Sequence, residues 1–341
     1  MASIRAALEA REEAWLSPFA QRVTQTQGRR MPEEEDAVRT AYQRDRDRIL
    51  HSKAFRRLKR KTQVFLAPEG DHYRTRLTHT LEVMQISRTV VRALHLNEDL
   101  VEAITLGHDL GHTPFGHAGE RILDEVYSEG FRHFEQSLRV VDKLEHRGAF
   151  AGLNLTHEVR DGILHHSRGK AVLQGKVAQG PNTLEGQVMS ICDAVAYVNH
   201  DIDDAVRAGV LDPASLPRDA VALLGDTSSK RIDRLVLGII QASQEGRIGI
   251  EPDVLEALNE LRDFLFREVY PCDVINDEMK RAGKLLRELY YDLLERPVDE
   301  ILNADPEDSL ERRTVDFVAG MTDNFAMHLY ETRMLPAPWK G

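Results

Sequence analysis

The chain has 341 residues, of which 42% are hydrophobic and 30% are charged, and its net charge is −11. A chain of this length and composition can bury one large core, and no apolar stretch approaches the ~18 residues that a membrane span requires. The N-terminal run MASIRAALEAREEAW is too charged for a signal sequence, so we expect a cytoplasmic protein with no membrane partner. Cys192 and Cys272 are too few for a disulfide framework and form no CxxC zinc motif.

The helix signals along the chain predict an all-α architecture. Nearly every segment has helical periodicity, and strand-like alternation is scarce. Residues 1–38 should form an N-terminal helix and a polar connection, and residues 39–210 should form the core. A run rich in Gly and Lys at 167–183 is typical of a surface loop. Residues 211–341 should form further helices that pack on the core or at a subunit interface.

Basic residues are concentrated between positions 44 and 76. This stretch holds eleven Lys or Arg and four acids, a local charge of +7 that leaves −18 on the rest of the chain. Most of these side chains fit a solvated helix face. Arg76 differs because it stands three residues before His79, where a helical run begins. A guanidinium at that point can clamp phosphate oxygens beside a bound cation.

The segment GHDLGHTPFGHAGE at 107–120 has the composition of a metal site. Asn97 is a suitable N-cap for the preceding helix, and Gly111 supplies a break after it. His108 and Asp109 should therefore lie together at a helix C-terminus, where both side chains can reach one cation. In isolation, such a pair is more often structural than metal-binding.

Two residues on other predicted helices strengthen the case for a metal. His79 lies near the start of one helical run, and Asp193 lies among apolar neighbours in the middle of another. A buried carboxylate without a partner is costly, so Asp193 needs a cation or hydrogen bonds.

Helical spacing also groups residues that suit phosphate and sugar chemistry. His117 and Glu120 are three residues apart, so on a helix they share a face and the carboxylate can orient the ring. His117 is therefore the first choice for proton transfer. Asp193, Tyr197 and Asp201 recur every four residues, which places a metal ligand, an aromatic ring and a hydroxyl acceptor along one face.

These residues, together with their surroundings, resemble a known family. The order His79, His108-Asp109, Asp193 is similar to the H…HD…D ligand set of the HD-domain metal-dependent phosphohydrolases. Within that family, the dGTPase-like deoxynucleoside triphosphate triphosphohydrolases resemble this chain over nearly its whole length. The blocks that carry the resemblance are RTAYQRDRDRILHSKAFRRLKRKTQVF (39–65), YRTRLTHTLEV (73–83), HDLGHTPFGHAGE (108–120), GFRHFEQSLRVVDKLE (130–145), VAYVNHDIDD (195–204) and VAGMTDNFA (318–326).

The resemblance implies an HD-domain helical bundle with additional C-terminal helices, and a metal site in its core. The implied ligands are His79, His108, Asp109 and Asp193. Two imidazoles and two carboxylates suit Mn, Mg, Fe, Co, Ni or Zn, so the donor set does not identify the ion.

The resemblance also implies roles around the reacting phosphate. The histidine that matches His117 serves the α-phosphate centre, and the glutamate that matches Glu120 supports it. His133 matches another histidine at the same centre. Its neighbours Arg132 and Phe134 differ from the Glu and Asn that many relatives carry at these positions.

The implied sugar contacts lie on the predicted helix of Asp193. Tyr197 would pack on the deoxyribose, where a 2′-hydroxyl would clash, and Asp201 and Gln63 would contact the 3′-hydroxyl. By the same alignment His112 would touch a phosphate.

The resulting prediction is a metal-dependent enzyme that hydrolyses dNTPs to a deoxynucleoside and inorganic triphosphate. No Walker A loop occurs, which disfavours a P-loop NTPase. Two alternatives stay open. One is another HD-domain activity, a nucleotidase or phosphodiesterase; the other is a module that binds single-stranded nucleic acid through the basic stretch and carries a vestigial site. The resemblance makes a homo-oligomer the expected assembly and leaves open a second dNTP as activator.

The remaining histidines are expected to be structural. They are His51, His72, His95, His146, His157, His165, His166, His200 and His328.

Overall fold

The computed structural model describes residues 3–63, 74–148, 150–168 and 180–336. These residues form an almost entirely helical protein with one short hairpin, which confirms the predicted all-α class. Most of the loop predicted at 167–183 and the 64–73 portion of the basic stretch lie outside the described residues.

The helices follow one another along the whole described chain. The first half contains α1 (Ile4–Trp15), α2 (Ala41–Leu50), α3 (Lys53–Arg57), α4 (Arg76–Ala93), α5 (Glu98–Gly107), α6 (Gly116–Val126), α7 (His133–Arg139) and α8 (His157–His165). The second half contains α9 (Leu184–Arg207), α10 (Arg218–Leu224), α11 (Ser228–Ala242), α12 (Pro252–Phe264), α13 (Asp273–Glu295), α14 (Asp299–Leu302), α15 (Leu310–Ala319) and α16 (Asp323–Met334).

Shorter elements connect the helices. 3-10 turns lie at Val23–Gln25, Leu58–Arg60, His166–Arg168 and Pro213–Ser215. Helices α7 and α12 continue into π-helical turns at Val140–Leu144 and Leu265–Val269. The strands β1 (His146–Arg147) and β2 (Phe150–Ala151) pair in antiparallel fashion.

Side-chain caps set the starts of the helices that carry the site. Thr75 and Thr78 form a capping box at the start of α4. The predicted N-cap Asn97 is confirmed at α5, where its side chain accepts a hydrogen bond from Leu100 N at 3.2 Å. Thr183 caps α9 in the same way. Each cap satisfies a backbone N–H that the first turn leaves unpaired.

Helix α5 lies at the centre of the larger core. It is buried from Leu100 to Gly107 and packs against α2, α4, α8 and α9. It approaches α8 closely at two glycines: a Cβ on Gly107 would lie 2.5 Å from Ile163 Cδ1, and one on Gly162 would lie 2.6 Å from Ile104 Cδ1. Larger residues would push the two helices apart. The C-termini of α5 and α8 are therefore held close together.

A second core joins α6 to the C-terminal helices. Helix α6 packs on α13, which in turn packs on α15 and α16. The buried side chains of this cluster include Phe115, Leu123, Leu286, Val315 and Ala326. Through this core, the C-terminal helices are fixed to the segment that follows α5. Among the described residues, no helix is both long and apolar enough to cross a bilayer.

Candidate active site

Segments that are far apart in the sequence meet at one cavity of about 310 Å³. The predicted site residues on its wall are Gln63, Arg76, His79, Asp109, His112, His117, His133, Asp193 and Tyr197. The other three, His108, Glu120 and Asp201, are not among the described residues of the wall. His108 contacts Asp109, Glu120 contacts His133, and Asp201 contacts Tyr270.

The four predicted metal ligands converge. His79 Nε2 lies 3.0 Å from Asp193 Oδ1, and His108 Nε2 lies 3.7 Å from the same oxygen. His108 Nε2 is also 3.3 Å from Asp109 Oδ1. Ligand atoms of His79, His108 and Asp193 lie within 4.8 Å of one another, as they do in a metal site. Asp109 is not a member of that group and adjoins it through its contact with His108.

The orientation of His108 fits a metal ligand. Its Nδ1 donates a hydrogen bond to Thr105 O at 2.6 Å. The buried Nε2 has no hydrogen-bond partner within the described part of the chain and faces the carboxylates of Asp109 and Asp193. Burial acts to lower the pKa of His108, but Asp109 and Asp193 outweigh it and raise the pKa to about 9. A site that attracts a proton this strongly also attracts a cation.

A chain of hydrogen bonds orients His79. His79 Nδ1 lies 3.1 Å from His200 Nδ1, and His200 Nε2 lies 2.6 Å from Glu82 Oε2. Burial lowers the pKa of His200 to about 4, so the ring is neutral at pH 7 and its Nδ1 can accept from His79. The Nε2 lone pair of His79 is then directed at the ligand cluster, as in many metal sites. His200, expected to be structural, supports the site from behind.

Arg76 is the first residue of α4 and is buried beside Asp109. Its Nη1 donates to Asp109 Oδ2 at 2.9 Å, while Nε and Nη2 have no hydrogen-bond partner among the residues that the structure describes. Burial would raise the pKa of Asp109, but His108, His112 and Arg76 hold it well below the usual range. The N–H groups of two guanidinium nitrogens are thus available to an anion in the cavity.

Glu120 supports two histidines. Its Oε1 accepts from both His133 N and His133 Nδ1, at 2.9 and 2.8 Å, and its Oε2 lies 3.6 Å from His117 Nδ1. Burial acts to raise the pKa of Glu120, but the two imidazoles lower it, so it stays ionised. The His117 side chain is 55% exposed, whereas the His133 side chain is 13% exposed and stacks on His112 at 4.0 Å. His117 is therefore the freer of the two rings.

His166 belongs to this cluster, whereas its sequence context predicted a structural histidine. Its Nε2 lies 3.2 Å from His133 Nε2, and its ring meets the edge of His108 at 4.9 Å. It also falls within a second group, with His108 and Asp109, that could hold a metal ion. His108 and His166 each follow a helix and donate Nδ1–H to the carbonyl three residues earlier. That shared position after a helix was the sequence signal from which His166 could have been recognised as a residue of the site.

The residues that the resemblance assigns to the sugar, Gln63, Tyr197 and Asp201, are only partly brought together. Tyr197 lines the cavity, but Asp201, two turns from Asp193 on α9, is fully buried and accepts a hydrogen bond from Tyr270 OH. Burial raises the pKa of Asp201 to about 8. The side chain of Gln63 is buried, and its Oε1 has no partner in the described chain.

Three C-terminal residues complete the cavity region and were not predicted. Arg262 and Phe266 line the cavity, and Tyr270 lies behind it on Asp201. Arg262 Nη1 is buried and unpaired within the described residues, and 58% of Phe266 is exposed. These three residues recur every four positions along α12 and the following turn, the same spacing as on α9. Sequence spacing alone did not indicate that this face meets α9.

Comparison with known proteins agrees with this geometry. Residues 76–198 match the HD domain, and residues 248–332 match the phosphohydrolase-associated domain. HD domains are typically metal-dependent, in keeping with the His and Asp cluster. The two matched regions contain most of the wall of the cavity.

Relatives match the chain over nearly its full length. Deoxyguanosinetriphosphate triphosphohydrolase-like proteins are 51% identical in Caldanaerobacter subterraneus (98% of this chain, 97% of theirs) and 46% identical in Desulfatibacillum aliphaticivorans (98% and 99%). A hypothetical protein from Aquifex aeolicus, of known structure, aligns with 85% of this chain and 68% of its own, at 21% identity and a TM-score of 0.49. The identity and coverage of the Caldanaerobacter and Desulfatibacillum relatives show that the chain belongs to the HD-domain phosphohydrolases, within the deoxyguanosinetriphosphate triphosphohydrolase-like family.

Proposed function

We propose that this protein is a divalent-metal-dependent triphosphohydrolase that converts dNTPs to a deoxynucleoside and inorganic triphosphate. The observation that carries the proposal is one cavity whose wall includes three of the four candidate ligands, with His108 in contact with two of them. The same wall carries Arg76, with its unpaired nitrogens, and the exposed ring of His117. The names of the relatives, which refer to deoxyguanosine triphosphate, support this substrate class.

His79, His108, Asp109 and Asp193 would hold the metal ion, which supplies Lewis-acid polarisation of a phosphoryl oxygen and a lower pKa for a water molecule. Arg76 would donate from its unpaired Nε and Nη2 to oxygens of the α-phosphate, where charge increases in the transition state. Arg262 would bind the rest of the triphosphate through its unpaired nitrogen.

Proton transfer falls to the residues on α6 and α7. Water attacks the α-phosphorus and the 5′-oxygen leaves, so one proton must reach that oxygen. His117 is placed for this transfer because its ring is exposed and Glu120 can stabilise its protonated form. His133 would support the same centre, and buried His112 would contact a phosphate.

The nucleoside would lie toward α9 and α12. Tyr197 would pack on the deoxyribose, and Gln63 and Asp201 would contact the 3′-hydroxyl. Because Asp201 lies behind the wall, it would act once Tyr270 shifts or through a bridging water. Exposed Phe266 offers a flat surface for the base.

The test is product analysis with stripped protein reloaded with Mn or Mg. Each dNTP, the four together, and the ribonucleotides are incubated, and products are separated by chromatography. Intact triphosphate and deoxynucleoside, absent with His117→Ala and retained with exposed His328→Ala, would support the proposal. Release of diphosphate or monophosphate would favour the alternative HD-domain activities, and no release with any metal would reject the proposal.

A second cavity favours an additional, polyanion-binding activity. It measures about 740 Å³ and is lined by seven cations, Arg39, Arg44, Arg48, Lys53, Arg56, Arg57 and Arg147, against Asp47 and Glu145. We propose that phosphates bind here, either from an activating dNTP or from single-stranded nucleic acid. Faster hydrolysis in the dNTP mixture supports the activator. Length-dependent oligonucleotide binding with a steep salt dependence supports nucleic acid. If Arg56→Gln reduces neither the activation by the dNTP mixture nor the oligonucleotide binding, this cavity is not the phosphate-binding site.

Homo-oligomerisation is part of the proposal and is tested by light scattering after gel filtration. A mass of one chain across the working concentration range would reject it.

A further inference from the structure

The last described helix begins beside two segments that carry wall residues of the candidate active site. Asp323, the first residue of α16, is 5% exposed, and its carboxylate accepts three hydrogen bonds. Oδ2 accepts from Thr62 N at 2.9 Å and from Thr62 Oγ1, and Oδ1 accepts from Phe115 N at 3.0 Å. One side chain thus joins two segments that precede it by 261 and 208 residues.

Both segments carry proposed substrate-contacting residues. Thr62 directly precedes Gln63, and Phe115 is two residues before His117. The segments also touch one another, because a Cβ on Gly116 would lie 2.9 Å from Gln63 O. A shift of either segment would therefore move Gln63 or His117 relative to the cavity.

Phe115 is held in a backbone conformation that needs support. Its φ of 60° and ψ of 26° are left-handed, a region that bulky residues rarely adopt. Among the described residues no side chain caps α6, and the ring of Phe115 is buried in the second core. The bond from Phe115 N to Asp323 fixes this turn from outside α6.

Lys61 adds a second connection at the same place. Its buried ammonium donates to Ala319 O at 2.8 Å and to His112 O. Lys61 O also accepts from Arg76 N at 3.2 Å. The start of α4, the segment after α5 and the start of α16 are thereby connected through residues 61 and 62.

We propose that Asp323 is a positioning residue of the active site, which acts through Thr62 and Phe115 to hold Gln63 and His117 at the cavity. The catalytic consequence rests on the proposed function, whereas the holding of the two segments does not. In this arrangement the start of α16 supports the active site from outside the cavity wall, because Asp323 is hydrogen-bonded to two segments that carry wall residues.

The test compares Asp323→Asn with Asp299→Asn. The substituted amide offers an N–H₂ where Thr62 or Phe115 requires an acceptor, whereas Asp299 is an exposed first residue of α14 and serves as the matched control. We expect amide hydrogen exchange at 112–120 to accelerate at least tenfold in Asp323→Asn, and kcat to fall at least tenfold. Mn affinity should stay within about twofold of wild type.

A double variant separates positioning from general weakening. If Asp323 acts through His117, Asp323→Asn combined with His117→Ala should be no slower than His117→Ala alone. If the losses of kcat in the two single variants multiply in the double variant, the proposed route through His117 is overturned. If amide exchange and kcat in Asp323→Asn equal those in Asp299→Asn, the proposal itself is overturned. If wild type hydrolyses no dNTP, the proposed function fails and the exchange measurement alone decides.

Thr62→Val keeps the test valid if Asp323→Asn does not fold. It removes the hydroxyl donor and retains the backbone bond at nearly constant volume. The same local acceleration at 112–120, smaller than for Asp323→Asn, is expected. Exchange and kcat unchanged from wild type would overturn the proposal.

Discussion

Arg76 and Asp109 form a buried ion pair, with Nη1 2.9 Å from Oδ2 and only 2% and 4% of the two side chains exposed. The pair connects the first residue of α4 to the residue beside His108. Because only Nη1 is engaged, Nε and Nη2 stay unpaired within the described residues. The same guanidinium can therefore neutralise a candidate metal ligand and bind a phosphate.

Arg76→Lys tests this double role. Lysine keeps the positive charge near Asp109 but is a point charge without the guanidinium fork, so it should lose the contacts to the α-phosphate. We expect kcat/KM to fall by ~10²–10³-fold, the scale for loss of one preorganised donor. The measurement is steady-state hydrolysis of the preferred dNTP by the Mn-loaded protein.

Arg60→Lys, on an exposed side chain of the same basic stretch, is the control and should retain wild-type rates. Equal kinetics in the two variants would show that the guanidinium fork of Arg76 does not contact the reacting phosphate.

His166→Phe discriminates between the two candidate ligand groups that share His108. If His79, His108, Asp109 and Asp193 hold the ion, His166 only supports His133, and its loss should lower kcat by ~10–100-fold with Mn affinity nearly unchanged. Calorimetric titration with Mn and kinetics on the same samples give both quantities.

The control is His165→Phe. His165 is the preceding residue in the chain and is half-buried, and its Nδ1 lies 2.8 Å from Asp161 Oδ1. A large loss of Mn affinity confined to His166→Phe would instead assign His166 to the metal.

Metal loading should stabilise the folded protein. An ion that binds only the native state adds about 2.7 kcal/mol at a hundredfold excess over its Kd. We therefore expect Tm to rise when Mn is added to stripped protein, and to return to its starting value with a chelator. Differential scanning calorimetry measures the shift.

Asp193→Asn should abolish this rise, because it removes the carboxylate shared by His79 and His108. Asp277→Asn, exposed on α13, should retain it. An unchanged rise in Asp193→Asn would place the ion elsewhere.

Glu185 should make stability depend on pH. It is fully buried in the first turn of α9, where Oε1 accepts from Asn97 N and Gln21 N, and burial raises its pKa to about 7. The folded state thus binds a proton more tightly than the unfolded state, whose carboxyl titrates near 4.5. Stability from this group is present below pH 4.5 and is lost as the pH rises to 7.

Glu185→Gln cannot ionise, so its free energy of unfolding relative to wild type should increase by about 2–3 kcal/mol from pH 5 to pH 8. Urea denaturation at both pH values measures this change. Glu256→Gln, at an exposed position on α12, should show no such change. A pH-independent difference for Glu185→Gln would mean that the carboxyl stays ionised when buried.

Much of the site could be predicted because helical periodicity is local. The spacing of Asp193 and Tyr197 on α9, the N-cap Asn97 and the position of His108 after α5 all follow from interactions within a few residues. The resemblance to HD-domain phosphohydrolases then grouped helices that local patterns cannot place in space. The family and the all-α class are both confirmed.

The roles of His166, Arg262 and Asp323 could not be assigned in this way. Each takes its position through packing or hydrogen bonding between distant segments: α8 against α5 at Gly107 and Gly162, α12 against α9, and α16 against residue 62. Local sequence determined the helices, their caps and the side chains that each face presents. Only the tertiary structure decided which faces meet, because close packing and the hydrogen bonds of buried polar groups depend on segments up to 261 residues apart.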